Sequence, residues 1–418
     1  METEHSFCLT LRGYLYKPPF VQDTALVGVN KQGLSPSIRI VSLVKGSKKS
    51  LLLNRRLKMV QNNVGSLIKN VSSLQQDEIN NTTGEPFEWW GPSPTEARKK
   101  AVEKKKGLRD KRTTLKDAVG KYVKDGINLG IAGFVNTRTP VAIVHEIIRQ
   151  GANDLTLSFQ SNSICCELLA GAMILEPDHI SIKRIELAWW GYEVIGIAPL
   201  LRYLTTNEMI EIDDYTNYGM SARFKAASMG IPFIPTRDHG GSDMELVNRG
   251  AMVECPFTEE NVYLVPACHP DVAIVHVPAA DMYGNCRIFG AHCTCPEIAL
   301  AATHSIVTTE QIIPSENIRN YPNLTEIPYP AVDAMIEQPF GCYPGACYGY
   351  YWFDMPEFQN FRSVCDEFRK TGSKDKLREY YDKYIFGCET FDDFLNTRPY
   401  SKLKELRQMD GVQPILID

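Results

Sequence analysis

The stretch Asn128-Leu-Gly-Ile-Ala-Gly-Phe134, which continues to Pro140, decides the fold that we predict for this chain. Residues 127–132 are a short apolar run, long enough for one buried strand. The run ends in a glycine turn, and an amphipathic segment over 141–150 follows at once, so the layout is strand, turn and helix. Such a turn leaves backbone N–H groups unpaired at the start of a helix, where they attract negative charge. An ordinary strand-to-helix turn is the alternative for this stretch taken alone.

Length and composition are those of a globular protein. The 418 residues are 44% hydrophobic and 23% charged, which leaves room for two domains or for one large α/β domain with additions. Residues 1–70 hold eleven Lys or Arg and three Asp or Glu, a net charge of +8, whereas the remaining 34 basic and 47 acidic residues give −13. The acidic body argues against an enzyme core that binds nucleic acid.

The sequence predicts neither a membrane protein nor a secreted one. It contains no run of about 18 apolar residues, and no apolar segment behind a basic start that would indicate a signal peptide. Twelve scattered cysteines in 418 residues do not suggest a disulfide framework. We therefore expect a cytoplasmic, reduced protein.

Four segments are predicted along the chain. Residues 1–85 form a weakly ordered basic and polar extension, because no apolar periodicity persists through them; an arm that binds an acidic partner or a membrane surface is the alternative. Residues 86–112 hold a capped basic helix and a linker, since Ser93-Pro-Thr-Glu96 is a capping box with proline at the first helical position. Residues 113–354 form the α/β domain, and residues 355–418 a helical C-terminal region.

Strand and helix patterns alternate through the α/β segment. Beyond the first strand, the predicted strands are 154–158, 179–185, 230–235, 262–265, 271–277 and 305–309. The predicted helices are 163–172, 198–205, 218–229, 296–303, 357–369, 374–384 and 391–395. This alternation predicts a Rossmann-like, mostly parallel sheet with helices on both faces.

Polar stretches that follow predicted strands are candidates for the functional site, because open parallel sheets bind ligands at the carboxyl ends of their strands. Besides the glycine turn they are Gln160-Ser-Asn-Ser163, Trp189-Trp-Gly-Tyr-Glu193, Thr236-Arg-Asp-His-Gly-Gly-Ser242 and the stretch from His269 to Asn285. From these stretches we take Gln160, Ser161, Asn162 and His239 as substrate-lining candidates.

Together these stretches resemble the family I CoA-transferases, most closely the A subunit of the glutaconate CoA-transferase type. The resemblance runs over about residues 113–354 and includes the glycine turn, Phe224-Lys-Ala-Ala-Ser-Met-Gly-Ile-Pro-Phe-Ile-Pro235 and Pro270-Asp-Val-Ala-Ile-Val-His276. The first hundred or so residues match nothing in that family.

The turn itself departs from the family pattern at one position. The family's loop usually reads Gly-Gly-Phe, whereas this chain reads Ala132-Gly133-Phe134. Arg138 and Pro140 match the pattern. The residue at position 132 therefore does not have to be glycine.

The resemblance implies a two-subunit enzyme that moves CoA between carboxylic acids. A B-subunit glutamate attacks the acyl-CoA carbonyl and ends as an enzyme-bound thioester, and each step builds an oxyanion that backbone N–H groups must stabilise. It assigns Ala132, Gly133, Phe134 and Arg138 to oxyanion or CoA binding. It also implies three partners, namely an acyl-CoA, a carboxylic acid and the B subunit, with no bound cofactor, no nucleic acid and no membrane.

No catalytic residue is assigned to this chain with certainty, because the nucleophile is expected on the B subunit. Glu193 is the open case. It either holds substrate or moves a proton at the active site, or it is a surface or helix-capping glutamate.

The sequence His292-Cys-Thr-Cys295, with Cys286, His269 and Cys268 upstream, suggests a metal site. Cys-x-Cys is not the usual zinc spacing and no second cysteine pair follows, so buried thiols are favoured and no metal is predicted.

Two further features keep two interpretations each. His276 ends an apolar strand and could reach a ligand, although a core histidine with its hydrogen bonds satisfied is the commoner case. The aromatic loop from Tyr343 to Trp352 lines an acyl pocket or forms an aromatic patch of the core.

The enzymatic alternative is a CoA-thioester hydrolase or decarboxylase of the same fold, in which the B-subunit glutamate is absent. A non-enzymatic, effector-sensing regulator with a similar sheet should carry a basic helix-turn-helix, and residues 1–112 show no such pattern.

Overall fold

A mostly parallel sheet with helices on both faces lies at the centre of the chain. The computed structural model describes residues 91–244 and 248–410, so the predicted extension, residues 1–85, lies outside the described part. Its strands, in chain order, are β1 (Asn128–Ile131), β2 (Phe134–Val135), β3 (Ala152–Asn162), β4 (Ile180–Tyr192), β5 (Gly196–Ile197), β6 (Glu211–Asp214), β7 (Phe233–Thr236), β8 (Ala251–Glu254), β9 (Asn261–Pro266), β10 (Val272–Ala280), β11 (Cys286–Arg287), β12 (His304–Ile312) and β13 (Ala334–Glu337).

The helices connect and cover these strands. They are α1 (Pro94–Glu103), α2 (Leu115–Tyr122), α3 (Val141–Gln150), α4 (Ile164–Leu175), α5 (Pro199–Thr206), α6 (Asn217–Met229), α7 (Cys295–Ala301), α8 (Ser315–Asn320), α9 (Met355–Thr371), α10 (Asp375–Tyr381), α11 (Phe391–Asn396) and α12 (Tyr400–Met409). None of the helices in the described ranges combines the length and the apolar character that crossing a bilayer requires.

Within the described residues, ten strands form the main sheet, in the order β13-β12-β10-β1-β3-β4-β5, with β11 beside β10, β2 beside β3 and β6 beside β4. All pairs are parallel except β10 with β11 and β4 with β5. The predicted α/β fold with a mostly parallel sheet is thereby confirmed. Because the chain runs outward from β1 in one direction and from β10 in the other, the boundary between these two strands is the topological switch point, where such sheets bind ligands.

The sheet separates two apolar cores. Successive residues of β10 point to opposite faces, so Val272 and Ile274 belong to one core, whereas Ala273 and Val275 belong to the other. The first core is covered by α3, α4, α5 and the C-terminal helices, and the second by α6 and α7. All nine residues of β10 are buried, which explains why its sequence reads as an apolar run without alternation.

A second, antiparallel sheet joins β7, β9 and β8. The strand predicted over 262–265 is present, but it belongs to this small antiparallel sheet and not to the parallel sheet that the alternation predicts. This segment is the centre of the small sheet, and its residues alternate between buried and partly exposed. An antiparallel sheet can leave one face to solvent, and a four-residue apolar window does not reveal which sheet it joins.

Several elements differ from prediction in length or were not predicted. β3 runs to Asn162, four residues past the predicted end, so the polar Gln160-Ser-Asn triplet is part of the strand. The strands β6 and β13 and the helix α12 were not predicted. The predicted helix 374–384 ends as α10 at Tyr381 and continues as a π-helical turn over Asp382–Phe386.

The basic helix α1 begins as predicted. Ser93 accepts from the backbone N–H of Glu96, and the Glu96 carboxylate accepts from the backbone N–H of Ser93 at 2.8 Å. Just beyond the helix, the Lys104 ammonium lies 2.6 Å from an Asp333 carboxylate oxygen, and both side chains are buried. The basic segment is therefore not all solvated surface, because one of its lysines anchors it to the α/β domain.

The C-terminal helices complete the first core. The Tyr381 hydroxyl donates to the carbonyl of Leu168 on α4, and a Cβ on Gly171 would collide with the same Tyr381 side chain. On the same layer, Glu357 accepts from the Tyr380 hydroxyl at 2.9 Å and from Arg398 at 3.0 Å. Aromatic and charged residues that the sequence shows after Pro344 are thus packed onto the sheet.

Candidate active site

The glycine turn lies at the carboxyl end of β1, at the switch point. Gly133 has φ of 94°, a conformation that L side chains rarely adopt. A Cβ at this position would lie 2.8 Å from the carbonyl oxygen of Arg138 and 2.9 Å from that of Thr137. Glycine is therefore required at position 133 both by the backbone angle and by the close approach.

The three predicted oxyanion donors of the turn differ in their partners. The Ala132 N–H donates to the carbonyl of Ile274 at 3.0 Å, and the Phe134 N–H to that of Thr137 at 2.9 Å. The Gly133 N–H points instead to the Sγ of Cys295 at 3.4 Å. Sulfur is a weak acceptor, so the Gly133 N–H is the donor of the three that can change partner at least cost.

Arg138 supports the turn from inside. Its side chain is fully buried, and its guanidinium donates to the carbonyls of Phe289, Ala291 and His292. Its backbone N–H donates to the carbonyl of Ala346 at 2.8 Å. These contacts join the guanidinium to the 289–292 segment, so Arg138 positions that segment beside the turn.

The polar end of β3 lies next to the turn, because β2 of the turn pairs with β3. Ser161 Oγ donates to the side-chain oxygen of Asn217 at 2.7 Å, and the amide of Gln160 donates to the Asn217 carbonyl at 3.3 Å. The oxygen of the Gln160 amide accepts from the hydroxyl of Thr294 at 3.0 Å. Asn162 is fully buried, and its amide atoms have no partner within the described residues.

A cleft of about 330 Å³ opens beside this network. It is lined by Tyr218, Ser221, Ala222, Lys225, Ile234, His292, Cys293, Thr294 and Glu297. Thr294 belongs both to the cleft and to the hydrogen-bond network of Gln160, so the cleft adjoins the end of β3. A larger pocket of about 810 Å³ is lined by Leu175 and by charged residues in and around α10. It lies at the opposite edge of the sheet from the turn.

The segment 289–297 joins the turn, the end of β3 and the cleft. Arg138 binds its carbonyls, the Gly133 N–H points to Cys295, and Gln160 contacts Thr294. Two consecutive residues, Cys293 and Thr294, have φ of 47° and 58°. The sequence did not predict that this segment joins the three parts of the site. The pattern His292-Cys-Thr-Cys295 indicates metal binding and gives no sign of a position at the edge of the sheet.

His239 is connected to the cleft only through other residues of the described ranges. Its ring is buried, stacks on Tyr263 with ring centroids 4.9 Å apart, and places Nδ1 3.1 Å from a carboxylate oxygen of Asp238. Asp238 in turn accepts from the hydroxyl of Thr216, the residue that caps α6. Asn217, the next residue, is the partner of Gln160 and Ser161. The structure thus brings Gln160 and Ser161 together and leaves His239 behind the start of α6.

Glu193 lies at the same edge of the sheet but apart from this network. It starts a short 3₁₀ turn directly after β4, is exposed and has φ of 23°. Its neighbour Trp190 pairs with Asn162 in the sheet register. The position of Glu193 in the sheet is therefore near the candidate site, but its side chain faces solvent.

A buried ion pair fixes α6, one wall of the cleft. The guanidinium of Arg223 lies 2.7 Å from a carboxylate oxygen of Glu186 on β4, and both side chains are 1% exposed. Arg223 also lies over the ring of Tyr215, 4.2 Å from its centroid, and donates to the Pro266 carbonyl at 3.0 Å. These contacts hold α6 at a fixed distance from the polar end of β3.

The aromatic loop from Tyr343 to Trp352 is largely part of the core. Tyr343 and Tyr351 are buried, and their hydroxyls donate to Asp354 at 2.8 Å and to Glu310 at 2.7 Å. The loop reaches the glycine turn through the Tyr348 hydroxyl, which accepts from Thr137 at 3.2 Å.

Comparison with known proteins agrees with this geometry. Residues 112–338 match the sequence profile of the Coenzyme A transferase family. The chain is 30% identical to the A subunit of 3-oxoadipate CoA-transferase from Pseudomonas knackmussii, over 67% of this chain and 95% of that protein. It is also 30% identical to the A subunit of glutaconate CoA-transferase from Acidaminococcus fermentans, over 72% of this chain and 95% of that protein.

Solved structures show the same fold. The crystal structure of glutaconate coenzyme A-transferase from Acidaminococcus fermentans superposes with a TM-score of 0.64 at 28% identity, covering 73% of this chain and 98% of that chain. A variant of the decarboxylase AibA/AibB superposes with a TM-score of 0.55 at 29% identity, covering 64% and 96%. The chain therefore belongs to the Coenzyme A transferase family, among relatives that are A subunits of two-subunit enzymes.

Proposed function

We propose that this chain is the A subunit of a two-subunit CoA-transferase, in which a B subunit supplies the attacking glutamate. The observation that carries the proposal is the extent of the match, since the chain aligns with 95% of the length of two named A subunits. The substrates are a carboxylic acid and a CoA thioester, and the chemistry requires no further cofactor.

The reaction consists of two exchanges on one glutamate. Its carboxylate attacks the thioester carbonyl, the C–S bond breaks, and CoA leaves as a thiolate. The acyl group and the glutamate are then joined in a mixed anhydride. The thiolate then attacks the glutamyl carbonyl and releases the first acid, so that CoA is held on the glutamate as a thioester. The second acid reverses these steps. Every addition places negative charge on a carbonyl oxygen, which fixed N–H donors stabilise.

The Gly133 N–H is the donor that we assign to this oxyanion. Ala132 and Phe134 already donate to backbone carbonyls, whereas the acceptor of Gly133 is a thiol at 3.4 Å. Replacing that weak bond by one to an oxyanion lowers the free energy of the transition state, because charge-assisted hydrogen bonds are about twice as strong as neutral ones. Phe134 and Arg138 then act on the shape of the turn, and CoA itself lies against its outer surface.

The cleft between α6 and the 292–297 segment is the binding site that we assign to the substrate. Ser161 and Gln160 fix Asn217 at the start of α6, and Thr294 connects this network to the cleft. Lys225 lines the same cleft, is about half exposed and lies 3.5 Å from a carboxylate oxygen of Glu297, a long surface contact that a substrate carboxylate or phosphate can replace.

The proposal is tested by assaying three samples: the isolated chain, an isolated candidate B subunit, and the co-purified complex. Acetyl-CoA is the donor, and the acceptor panel includes glutaconate and 3-oxoadipate, after the names of the two relatives. We expect transfer only in the complex. Robust turnover by this chain without a partner would show that the nucleophile is not on a B subunit.

Mass spectrometry locates the covalent intermediate. The complex is incubated with acyl-CoA without an acceptor acid, and the two chains are separated. We expect this chain to stay unmodified and a glutamate of the B subunit to gain the mass of CoA. CoA attached to this chain instead would contradict the assignment while leaving the family membership intact.

Hydrolysis or decarboxylation of a CoA thioester is the second candidate, and the similarity to the AibA/AibB decarboxylase favours decarboxylation. The same complex distinguishes the three reactions by product. Acyl transfer yields a new thioester, hydrolysis yields free CoA without an acceptor acid, and decarboxylation yields carbon dioxide with the thioester retained.

A further inference from the structure

A closed group of four metal-ligating side chains lies in the core, apart from the cleft. His276 comes from β10, Glu310 from β12, and Cys342 and Cys347 from the loop after β13. One ligand atom of each lies within 4.8 Å of the ligand atoms of the other three, and all four residues are buried. We propose that His276, Glu310, Cys342 and Cys347 bind one zinc ion, a site that the reaction described above does not use.

The donor set favours zinc over other divalent ions. Two thiolates are soft donors and the imidazole is a borderline donor, which excludes magnesium and calcium, whose ligands are oxygens; zinc also accepts the single carboxylate. Four protein ligands without an open position are typical of structural zinc sites, which are tetrahedral.

The separations need only small side-chain adjustments. Zinc bonds of about 2.3 Å to sulfur and about 2.0 Å to nitrogen place tetrahedral ligand atoms roughly 3.3–3.8 Å apart. The observed upper limit of 4.8 Å is somewhat wider, and the His276 Nε2 to Glu310 Oε1 distance of 2.8 Å is somewhat shorter. Zinc binding therefore requires the thiols to move closer to the centre and Glu310 to move slightly away from His276.

The surrounding hydrogen bonds orient the ligands. Nδ1 of His276 lies 2.9 Å from the hydroxyl of Thr308, which leaves Nε2 to face Glu310. The carboxylate of Glu310 accepts from the Phe340 N–H at 2.8 Å and from the Tyr351 hydroxyl at 2.7 Å. Metal-bound histidines and carboxylates are held in this way by outer partners, which fix the ring tautomer and the carboxylate orientation.

His276 and Glu310 already form a close polar pair at the centre of the group. Nε2 of His276 lies 2.8 Å from a carboxylate oxygen of Glu310, so a proton lies between these two atoms when no metal ion is bound. Zinc replaces that proton and the protons of the two thiols, because its ligands bind as neutral imidazole, carboxylate and thiolate.

The site connects the core to the glycine turn. The loop that carries both cysteines also carries Ala346, whose carbonyl accepts from Arg138 N–H at 2.8 Å and whose N–H donates to the Asn136 carbonyl at 2.7 Å. An ion bound by Cys342 and Cys347 therefore fixes the loop on which the turn rests. Its role is structural, because all four ligands are protein atoms and the site is closed to substrate.

The test is the metal content of the full chain, co-purified with its B subunit if required, after expression in zinc-supplemented medium. Inductively coupled plasma mass spectrometry should find about one zinc per chain, and X-ray absorption should show two sulfur ligands near 2.3 Å. In Cys347→Ser the zinc content should fall to near zero, whereas Cys388→Ala, a buried cysteine outside the group, should keep it.

A second variant keeps the proposal testable if Cys347→Ser does not fold. Thr308→Val leaves all four ligands in place and removes the partner of His276 Nδ1, so zinc affinity in a chelator competition should fall about 10–100-fold. A wild-type chain that carries no zinc, takes up none on titration with zinc ions, or contains a Cys342–Cys347 disulfide would overturn the proposal. None of these measurements depends on CoA-transferase activity.

Discussion

Two groups of histidine and cysteine side chains differ in how the chain brings them together. His292, Cys293 and Cys295 are neighbours in sequence, whereas His276, Cys342 and Cys347 come from segments far apart. The neighbours diverge in space: His292 is about half exposed and lies 3.5 Å from a carboxylate oxygen of Glu326, while Cys295 is buried beneath Gly133. The distant residues converge on Glu310 within 4.8 Å of one another.

The comparison shows that strand register, rather than sequence spacing, assembles a buried polar group in a parallel sheet. His276 on β10 is paired with Thr308 on β12, so Glu310, two residues further along β12, lies on the same face. The loop after β13 then closes over this face. The residues that are neighbours in sequence, from His292 to Cys295, lie instead at the edge of the sheet, and their segment forms a wall of the cleft.

The largest effect is expected from removing the carboxylate at the centre of the buried group. Glu310→Ala leaves His276, Tyr351 and the Phe340 N–H without their partner in a site that water does not reach. We expect the free energy of unfolding to fall by about 3–5 kcal/mol, measured by urea denaturation. Glu316→Ala is the matched control, because its side chain is 72% exposed and its change should stay within about 0.5 kcal/mol. A loss below about 1 kcal/mol in Glu310→Ala would mean that this group contributes little to the core.

A second buried carboxylate predicts a pH dependence of stability. Burial raises the pKa of Glu167 to about 8, against the opposing effect of the backbone N–H groups of Leu200 and Leu201. The folded state therefore keeps a proton that the unfolded chain loses near pH 4.5. The stabilisation is complete below pH 4.5, decreases as pH rises, and is gone above about pH 8.

Between pH 5.5 and 7.5 the wild-type free energy of unfolding should fall by up to about 3 kcal/mol more than that of Glu167→Gln, at about 1.4 kcal/mol per pH unit. Urea denaturation at three pH values measures both slopes, and Glu316→Gln serves as the control with an unchanged slope. Equal slopes in wild type and Glu167→Gln would show that Glu167 is ionised in the folded state at these pH values.

Most of the fold could be predicted from the sequence, because its apolar runs are short, regularly spaced and bounded by glycine and proline. β1, β10 and α3 illustrate this, since each appears within two or three residues of its predicted bounds. The candidate site could be predicted from the sequence only in part. Gln160 and Ser161 follow from their position beyond the predicted end of a strand, whereas Thr294 and Asn217 reach them through contacts between segments far apart in the chain. The buried group around Glu310 requires the register of two strands and the path of a loop, and no spacing in the sequence encodes either.

The glycine turn offers an intermediate effect and a matched pair of glycines. Gly133→Ala introduces a Cβ 2.8 Å from the Arg138 carbonyl at φ of 94°, whereas Gly126→Ala adds one at φ of 75° with no atom within 4 Å. Backbone strain of about 1–2 kcal/mol is common to both variants. We expect Gly133→Ala to lose about 1–3 kcal/mol in all and, in the complex, to lower turnover about 100-fold. If Gly126→Ala loses as much turnover as Gly133→Ala, the turn has no special part in catalysis.

Cys295 provides a gentler way to change the same donor. In Cys295→Ser a hydroxyl, a stronger acceptor than a thiol, competes for the Gly133 N–H, and in Cys295→Ala the acceptor is lost. Since a neutral hydrogen bond is worth about 0.5–1.5 kcal/mol, kcat of the serine variant should fall about 2–10-fold, and that of the alanine variant should not fall. Equal kcat in both variants at similar melting temperatures would remove the Gly133 N–H from the reaction.

The smallest effect is expected at Glu193, the exposed counterpart of the buried carboxylates. Within the described residues its side chain makes no hydrogen bond, and its backbone, with φ of 23°, is set by the 3₁₀ turn after β4 rather than by the carboxylate. Glu193→Gln should therefore change the free energy of unfolding by less than about 0.5 kcal/mol, and kcat/KM of the complex by less than about threefold. Glu208→Gln is the matched control, since Glu208 is also exposed and has φ of 53°. A loss above tenfold in kcat/KM at unchanged stability, seen only at Glu193, would mean that this carboxylate contacts substrate once the B subunit completes the site, and would assign it the acid–base or substrate-holding role.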